Sequence, residues 1–130
     1  GDKDLAYFEI GIMLHMVEDM GVPAHANGII HQGTLTEFDN FEAMALQKWD
    51  PDFADVDRKD PGYADPSKYY RFSQDWTHTD APGYRDRNGF AKTWLTASPT
   101  EKALVRNRQG RTATVAMWAL QAAVTALAKT

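Results

Sequence analysis

Three of the four histidines and five carboxylate side chains lie within one stretch of the chain, residues 10–42. His15 and Asp19 are four residues apart, so a helix would place both side chains on one face. Imidazole nitrogens and carboxylate oxygens are ligands that zinc and other divalent metals accept. The spacing therefore indicates a metal site, and the alternative is a His–Asp hydrogen bond that only stabilises a helix.

The predicted surroundings of this pair favour the metal. Leu5, Phe8 and Ile12 continue the same helical face toward the N-terminus, which predicts a buried apolar stripe. An ionised Asp19 within such a stripe is costly unless another group pairs with it. A divalent metal bound by His15 and Asp19 is the simplest partner.

The turn after this helix offers a third ligand. Gly21 is predicted to end the helix in a left-handed conformation, and Pro23 is predicted to keep the chain from resuming it. The chain would then turn His25 back toward His15 and Asp19. The resulting pattern, H-x3-D-x5-H with proline before the last histidine, is more specific than any of its pairs.

The segment LHMVEDMGVPAH, residues 14–25, resembles the ligand-bearing helix of the bacterial zinc-dependent phospholipases C and of the related zinc-dependent single-strand nucleases. In that superfamily HxxxD is followed by a proline–histidine turn and by HxxxE on the next helix. The resemblance implies that His15, Asp19 and His25 bind zinc and that Asp19 bridges two ions in the catalytic centre. It also places Asp39 at the position of the glutamate ligand.

The chain departs from this pattern at two points. Leu35 stands where the superfamily has the histidine of HxxxE, and His31 is close enough to replace it, with Glu42 as an alternative to Asp39. The superfamily ligands that precede the motif have no counterpart before His15. The resemblance thus covers the C-terminal half of a family domain, and we expect the chain to be part of a longer protein.

The resemblance implies a zinc-dependent phosphoesterase that hydrolyses phosphodiester bonds, in phospholipid or nucleic acid, through metal-activated water. The number of zinc ions is left open, and a secreted or periplasmic location is implied. Two alternatives remain, which are a non-catalytic helical domain with a residual structural metal site and a metal-free interaction module. Leu35 and the missing upstream ligands favour the structural site for this chain alone.

Composition sets limits on these functions. The 130 residues, 43% hydrophobic and 25% charged, predict one globular domain. The net charge of −4 and the lack of a basic run argue against broad binding of the nucleic-acid backbone through positive charge, although a nuclease can contact phosphate through metals. The absence of cysteine excludes thiolate–zinc and disulfide scaffolds, and neither a signal peptide nor a membrane span is predicted.

The fold class predicted from the periodicity is all-α, a helical bundle with a long irregular insert at about residues 50–88. A capping box, Ser98-Pro99-Thr100-Glu101, predicts the start of the last helix. That helix has Gly110 as a candidate bend, and its alanine-rich second half is predicted to pack on several sides with Trp118 in the core. His78 is predicted to lie at the surface. The predicted helices span residues 4–20, 36–49, 66–78, 88–97 and 98–128, and residues 22–35 are predicted to be a loop.

Overall fold

The computed structural model describes residues 2–27, 40–48, 56–82, 84, 91 and 93–129. Within these residues it contains five α-helices and no β-strand, which confirms the predicted all-α class. The same part of the chain has no helix with the length and apolar character needed to cross a membrane. The helices are α1 (Asp2–Asp19), α2 (Pro23–Ala26), α3 (Asn40–Gln47), α4 (Lys68–Asp80) and α5 (Pro99–Ala128).

The last helix, α5, begins at the predicted capping box. The Ser98 hydroxyl accepts a hydrogen bond from the Glu101 backbone N–H at 3.1 Å, and the Glu101 carboxylate accepts one from the Ser98 N–H at 3.0 Å. The second carboxylate oxygen of Glu101 accepts the Ala91 N–H at 2.7 Å. These backbone hydrogen bonds lower the pKa of Glu101, because they stabilise its ionised form. From this start the helix runs through Gly110 without interruption.

The main core lies where α1, α4 and α5 meet. Its buried side chains are Val17 from α1, Tyr69 and Trp76 from α4, and Val115 and Ala119 from α5. Trp118 packs against this cluster, as predicted, with its ring stacked on that of Trp76 at a centroid distance of 6.2 Å. The prediction that the second half of α5 packs on several sides is wrong, because one stripe of this half is exposed. That stripe consists of Met117, Leu120 and Val124.

A second core cluster attaches α3 to the first half of α5. Phe41 and Met44 of α3 are buried together with Ala97 and Val105. The Gln109 side-chain amide donates a hydrogen bond to the Ala45 carbonyl oxygen at 2.9 Å, which joins the two helices by a polar contact as well.

Several predicted boundaries need correction. Residues 23–26 form the short helix α2 instead of part of a loop, because proline at the first helical position starts a helix without losing a hydrogen bond. The described residues 93–96 form turns where a helix over 88–97 is predicted. Most of that predicted helix, the start of the predicted helix at Thr36, and residues 28–39 lie outside the described residues.

The role predicted for Gly21 is also wrong. Gly21 does not have a positive φ angle, and it lies where the end of α1 meets α5. A Cβ atom at Gly21 would lie 2.7 Å from Cγ2 and 2.8 Å from Cβ of Thr112 and would overlap the Thr112 hydroxyl. Glycine therefore allows close contact between two helices here, and left-handed backbone geometry has no part in it.

Candidate metal-binding site

His15 and Asp19 lie on one face of α1, as the spacing predicts. The distance from His15 Nε2 to Asp19 Oδ2 is 3.4 Å. Both side chains are accessible, with 76% of His15 and 41% of Asp19 exposed to solvent. The pair is therefore formed, but in water and not in the core.

The predicted burial of this face is wrong. Leu5, Phe8 and Ile12 are 59%, 65% and 49% exposed. The opposite face of α1, which carries Val17, packs against α4 and α5. Both faces of α1 are apolar, so the pattern of apolar residues alone does not select the face that is buried. Because Asp19 is exposed, its charge does not require a metal for burial, and a metal site depends on the distances between possible ligand atoms.

His25 is directed toward α3, where its Nε2 lies 3.1 Å from Glu42 Oε1. The His25 side chain is 37% exposed and the Glu42 side chain is 14% exposed, so this pair is partly buried. The two helices that carry the pair are held by buried side chains, which are Ala24 in α2 and Phe41 and Met44 in α3. Glu42, one of the predicted ligands, is thus brought to one of the predicted histidines.

Contacts from α4 hold α2, and with it His25. The side chain of His78 contacts the Ala26 carbonyl oxygen through Nε2 at 2.7 Å, and the Gln74 amide donates to the same oxygen at 3.1 Å. His78 is exposed, as predicted, yet it also fixes the end of the short helix. No local sequence pattern indicates this contact, because the two residues are far apart in the chain.

In each pair, the distance between the nitrogen and the oxygen is compatible with both atoms binding the same metal ion. Two ligand atoms that are each about 2.1 Å from a tetrahedral zinc lie about 3.4 Å apart. The His15–Asp19 separation of 3.4 Å matches this value, and the His25–Glu42 separation of 3.1 Å is slightly shorter. The His15–Asp19 separation is longer than an ordinary N–H···O hydrogen bond, which is about 2.7–3.2 Å, whereas the His25–Glu42 separation falls within that range. Each pair can therefore supply one nitrogen and one oxygen ligand.

A complete site needs more ligands than one such pair provides. A structural zinc takes four protein ligands, and a catalytic zinc takes about three. Among the residues described, no group of three or more histidine, cysteine, aspartate or glutamate side chains is close enough to hold a metal. The predicted ligands His31 and Asp39, like Leu35, lie outside the described residues and stay predictions.

A buried polar cluster that the sequence pattern does not predict lies between α4 and α5. Both Arg108 and Arg111 contact the Asp80 carboxylate, with Arg108 Nε 3.1 Å from Asp80 Oδ2. Arg108 also donates to the Thr77 hydroxyl, which is 2.6 Å from the Met20 carbonyl oxygen. Burial lowers the pKa of Arg108 to about 10, against the opposing effect of the Asp80 charge. The available signal was weak, because these two arginines, three residues apart, stand among other polar residues in the first half of α5.

Comparisons of the chain with protein-family models, with curated proteins and with solved structures gave no match. The resemblance to the phospholipase C and nuclease superfamily thus rests on the H-x3-D-x5-H motif and its neighbours. The geometry of the two histidine–carboxylate pairs is the structural observation that bears on a metal site.

Proposed function

We propose that this chain is a zinc-binding helical domain of the phospholipase C/nuclease type and that it serves phosphodiester hydrolysis in the complete protein. One observation carries the proposal. The histidines and Asp19 of the motif, together with Glu42, form two histidine–carboxylate pairs, His15–Asp19 and His25–Glu42, and within each pair the separation suits two ligands of one metal. Zinc bound by such ligands supplies a nucleophile at neutral pH by lowering the pKa of its bound water.

In this proposal the residues of the chain bind and orient the metal. His15 and Asp19 present their ligand atoms from one turn of α1, and Asp19 would also contact the catalytic centre. His25 and Glu42 are held in place by the packing of α2 and α3. His31 and Asp39 are the proposed further ligands. The proposed substrate is a phosphodiester of phospholipid or nucleic acid, and the proposed location is secreted or periplasmic.

A second candidate function, that of a metal-free interaction module, is favoured by a different observation. The outer face of α1 exposes Leu5, Phe8 and Ile12 together with Tyr7 and Met16. Exposed apolar side chains grouped in this way are typical of surfaces that bind other proteins. In that case His15 and Asp19 would contribute an exposed i, i+4 pair and no metal ligands.

Thermal melts with zinc and with chelator distinguish the two functions. The variants are Asp19→Asn and Glu42→Gln, which keep the side-chain size and remove the negative charge that zinc prefers. Asp75→Asn is the matched control, because Asp75 forms an exposed i, i+4 pair with Arg71 that is unrelated to the motif. Zinc at about 100 times its dissociation constant is expected to stabilise the wild type by about 2.7 kcal/mol.

We expect zinc to raise the melting temperature of the wild type and of Asp75→Asn, and to raise it much less in Asp19→Asn and Glu42→Gln. Elemental analysis then gives the number of ions per chain. Two or three ions support the enzymatic site, and one supports a structural site. Wild-type melts that coincide with and without zinc would contradict the proposal, as would a zinc effect that both variants retain.

A further inference from the structure

A cleft of about 500 Å³ opens between the segment at residues 60–64, α4 and the C-terminal part of α5. This volume lies within the range of small-molecule sites, which is roughly 300–1,000 Å³. The cleft lies against α4 and α5, and none of its lining residues belongs to the proposed metal site. Its walls combine aromatic rings with oxygen-bearing side chains. They include Asp60, Tyr63, Tyr69, Trp118, Gln121 and Thr125.

The Asp60 carboxylate at this cleft is held in place through one of its two oxygens. The Gly62 N–H donates to Asp60 Oδ1 at 2.8 Å, and the Tyr69 hydroxyl donates to the same atom. Gly62 has a φ angle of +72°, a left-handed conformation that glycine adopts without a steric cost. Oδ2, the other oxygen, has no hydrogen-bond partner among the described residues. The carboxylate is thus oriented by the protein, with one acceptor atom left for a ligand.

The hydroxyl of Tyr69 remains a donor at neutral pH. Burial, reinforced by the hydrogen bond to Asp60 and by its charge, raises the pKa of Tyr69 to about 12. The ring of Tyr63 packs edge-on against Tyr69 at a centroid distance of 5.1 Å, so the two rings are in contact at the cleft. Tyr69 therefore connects the aromatic wall to the Asp60 carboxylate.

We propose that this cleft binds a small organic ammonium ion that carries N–H donors. The oxygen atoms of Asp60, Gln121 and Thr125 can accept hydrogen bonds from such a group, and the Asp60 carboxylate supplies the opposite charge. Aromatic rings attract cations through their faces and bury the apolar part of the ligand. Lys129 also lines the cleft, and its like charge opposes binding. This proposal is independent of the metal site.

Isothermal titration calorimetry in the presence of chelator tests the proposal with three probes of similar shape. Benzylammonium carries both the charge and the N–H donors, benzyl alcohol lacks the charge, and benzyltrimethylammonium lacks the donors. We expect benzylammonium to bind with a Kd on the order of 1 mM, and the other two probes to bind about tenfold more weakly or not at all. The proposal would be overturned if benzyl alcohol or benzyltrimethylammonium bound as tightly as benzylammonium, or if benzylammonium showed no saturable binding.

Variants locate the binding to the cleft. Asp60→Asn keeps an oxygen acceptor for Gly62 and Tyr69, so it is expected to preserve the conformation of residues 60–64. The loss of the negative charge is expected to weaken the binding of benzylammonium about tenfold. Asp65→Asn is the matched control, since Asp65 lies outside the cleft and accepts hydrogen bonds from Ser67. This variant is expected to bind benzylammonium with the affinity of the wild type. Lys129→Gln removes the opposing charge, so this variant is expected to bind benzylammonium two- to threefold more tightly than the wild type does, a change on the order of half a kcal/mol. Unchanged affinity in Asp60→Asn, or weaker binding in Lys129→Gln, would contradict the assignment.

Discussion

Two pairs of a basic side chain with a carboxylate lie in opposite environments. One pair is in the interior between α4 and α5, and the other is on the outer face of α1. Arg108 and Asp80 are 2% and 10% exposed, whereas His15 and Asp19 are open to solvent. A buried pair loses its hydration and must satisfy each charge within the protein. An exposed pair keeps its hydration and contributes little to folding, so its atoms are available to a ligand. Similar chemical groups therefore stabilise the fold in one region and remain exposed to solvent in the other.

The buried cluster connects three helices. Arg108 of α5 contacts Asp80 and Thr77 of α4, and the Thr77 hydroxyl is hydrogen-bonded to the Met20 carbonyl oxygen at the end of α1. The guanidinium of Arg108 also lies over the Trp76 ring, 5.7 Å from its centroid. Such directional contacts specify one relative placement of the helices, which apolar packing alone does not. No comparable contact of the His15–Asp19 pair with another helix is present in the described part of the chain.

The largest expected effect comes from removing the shared charge of the buried cluster. Asp80→Asn removes the carboxylate that the buried guanidinium groups of Arg108 and Arg111 share, and it should destabilise the protein by about 3–5 kcal/mol. Urea unfolding measures this loss. Asp75→Asn, in the exposed pair with Arg71, is the control and should change stability by less than about 0.5 kcal/mol. Equal losses in the two variants would remove the distinction between buried and exposed pairs.

A medium effect is expected at the contact between α1 and α5. Gly21→Ala places a methyl group against Thr112, and relieving this overlap should cost about 1–3 kcal/mol. Gly11→Ala on the same helix has open space around the new Cβ and should be neutral or stabilising by up to about 1 kcal/mol. Thermal melts of the two variants compare the packed and the open part of α1. If Gly21→Ala melted like Gly11→Ala, the close approach to α5 would be refuted.

The smallest effect is expected on the outer face of α1. Ile12→Ser removes an exposed apolar side chain and should change stability by less than about 0.5 kcal/mol. Melting curves at several protein concentrations measure this change and also report self-association. A large loss, or a melting temperature that rises with concentration in the wild type alone, would show that this face is covered in solution. The comparison between the two regions would then need revision.

The local features of the chain follow from the sequence. The capping box at Ser98 and Glu101, the start of α5 at this box, and the placement of His15 and Asp19 on one face depend on residues within about one turn of each other. Such interactions are complete once a helix forms. The all-α class follows in the same way from the periodicity of apolar residues, which is a property of each segment alone.

The tertiary structure decided which surfaces and polar groups of these helices are buried. The side of α1 that packs, the close contact at Gly21, the pairing of His25 with Glu42, and the burial of Arg108 each join residues distant in the chain. α1 is apolar on two faces, so its sequence permits either to be buried. The structure buries the side that carries Val17, Met13 and Leu14, because packing energy depends on the shapes of both surfaces in contact and not on the hydrophobicity of one.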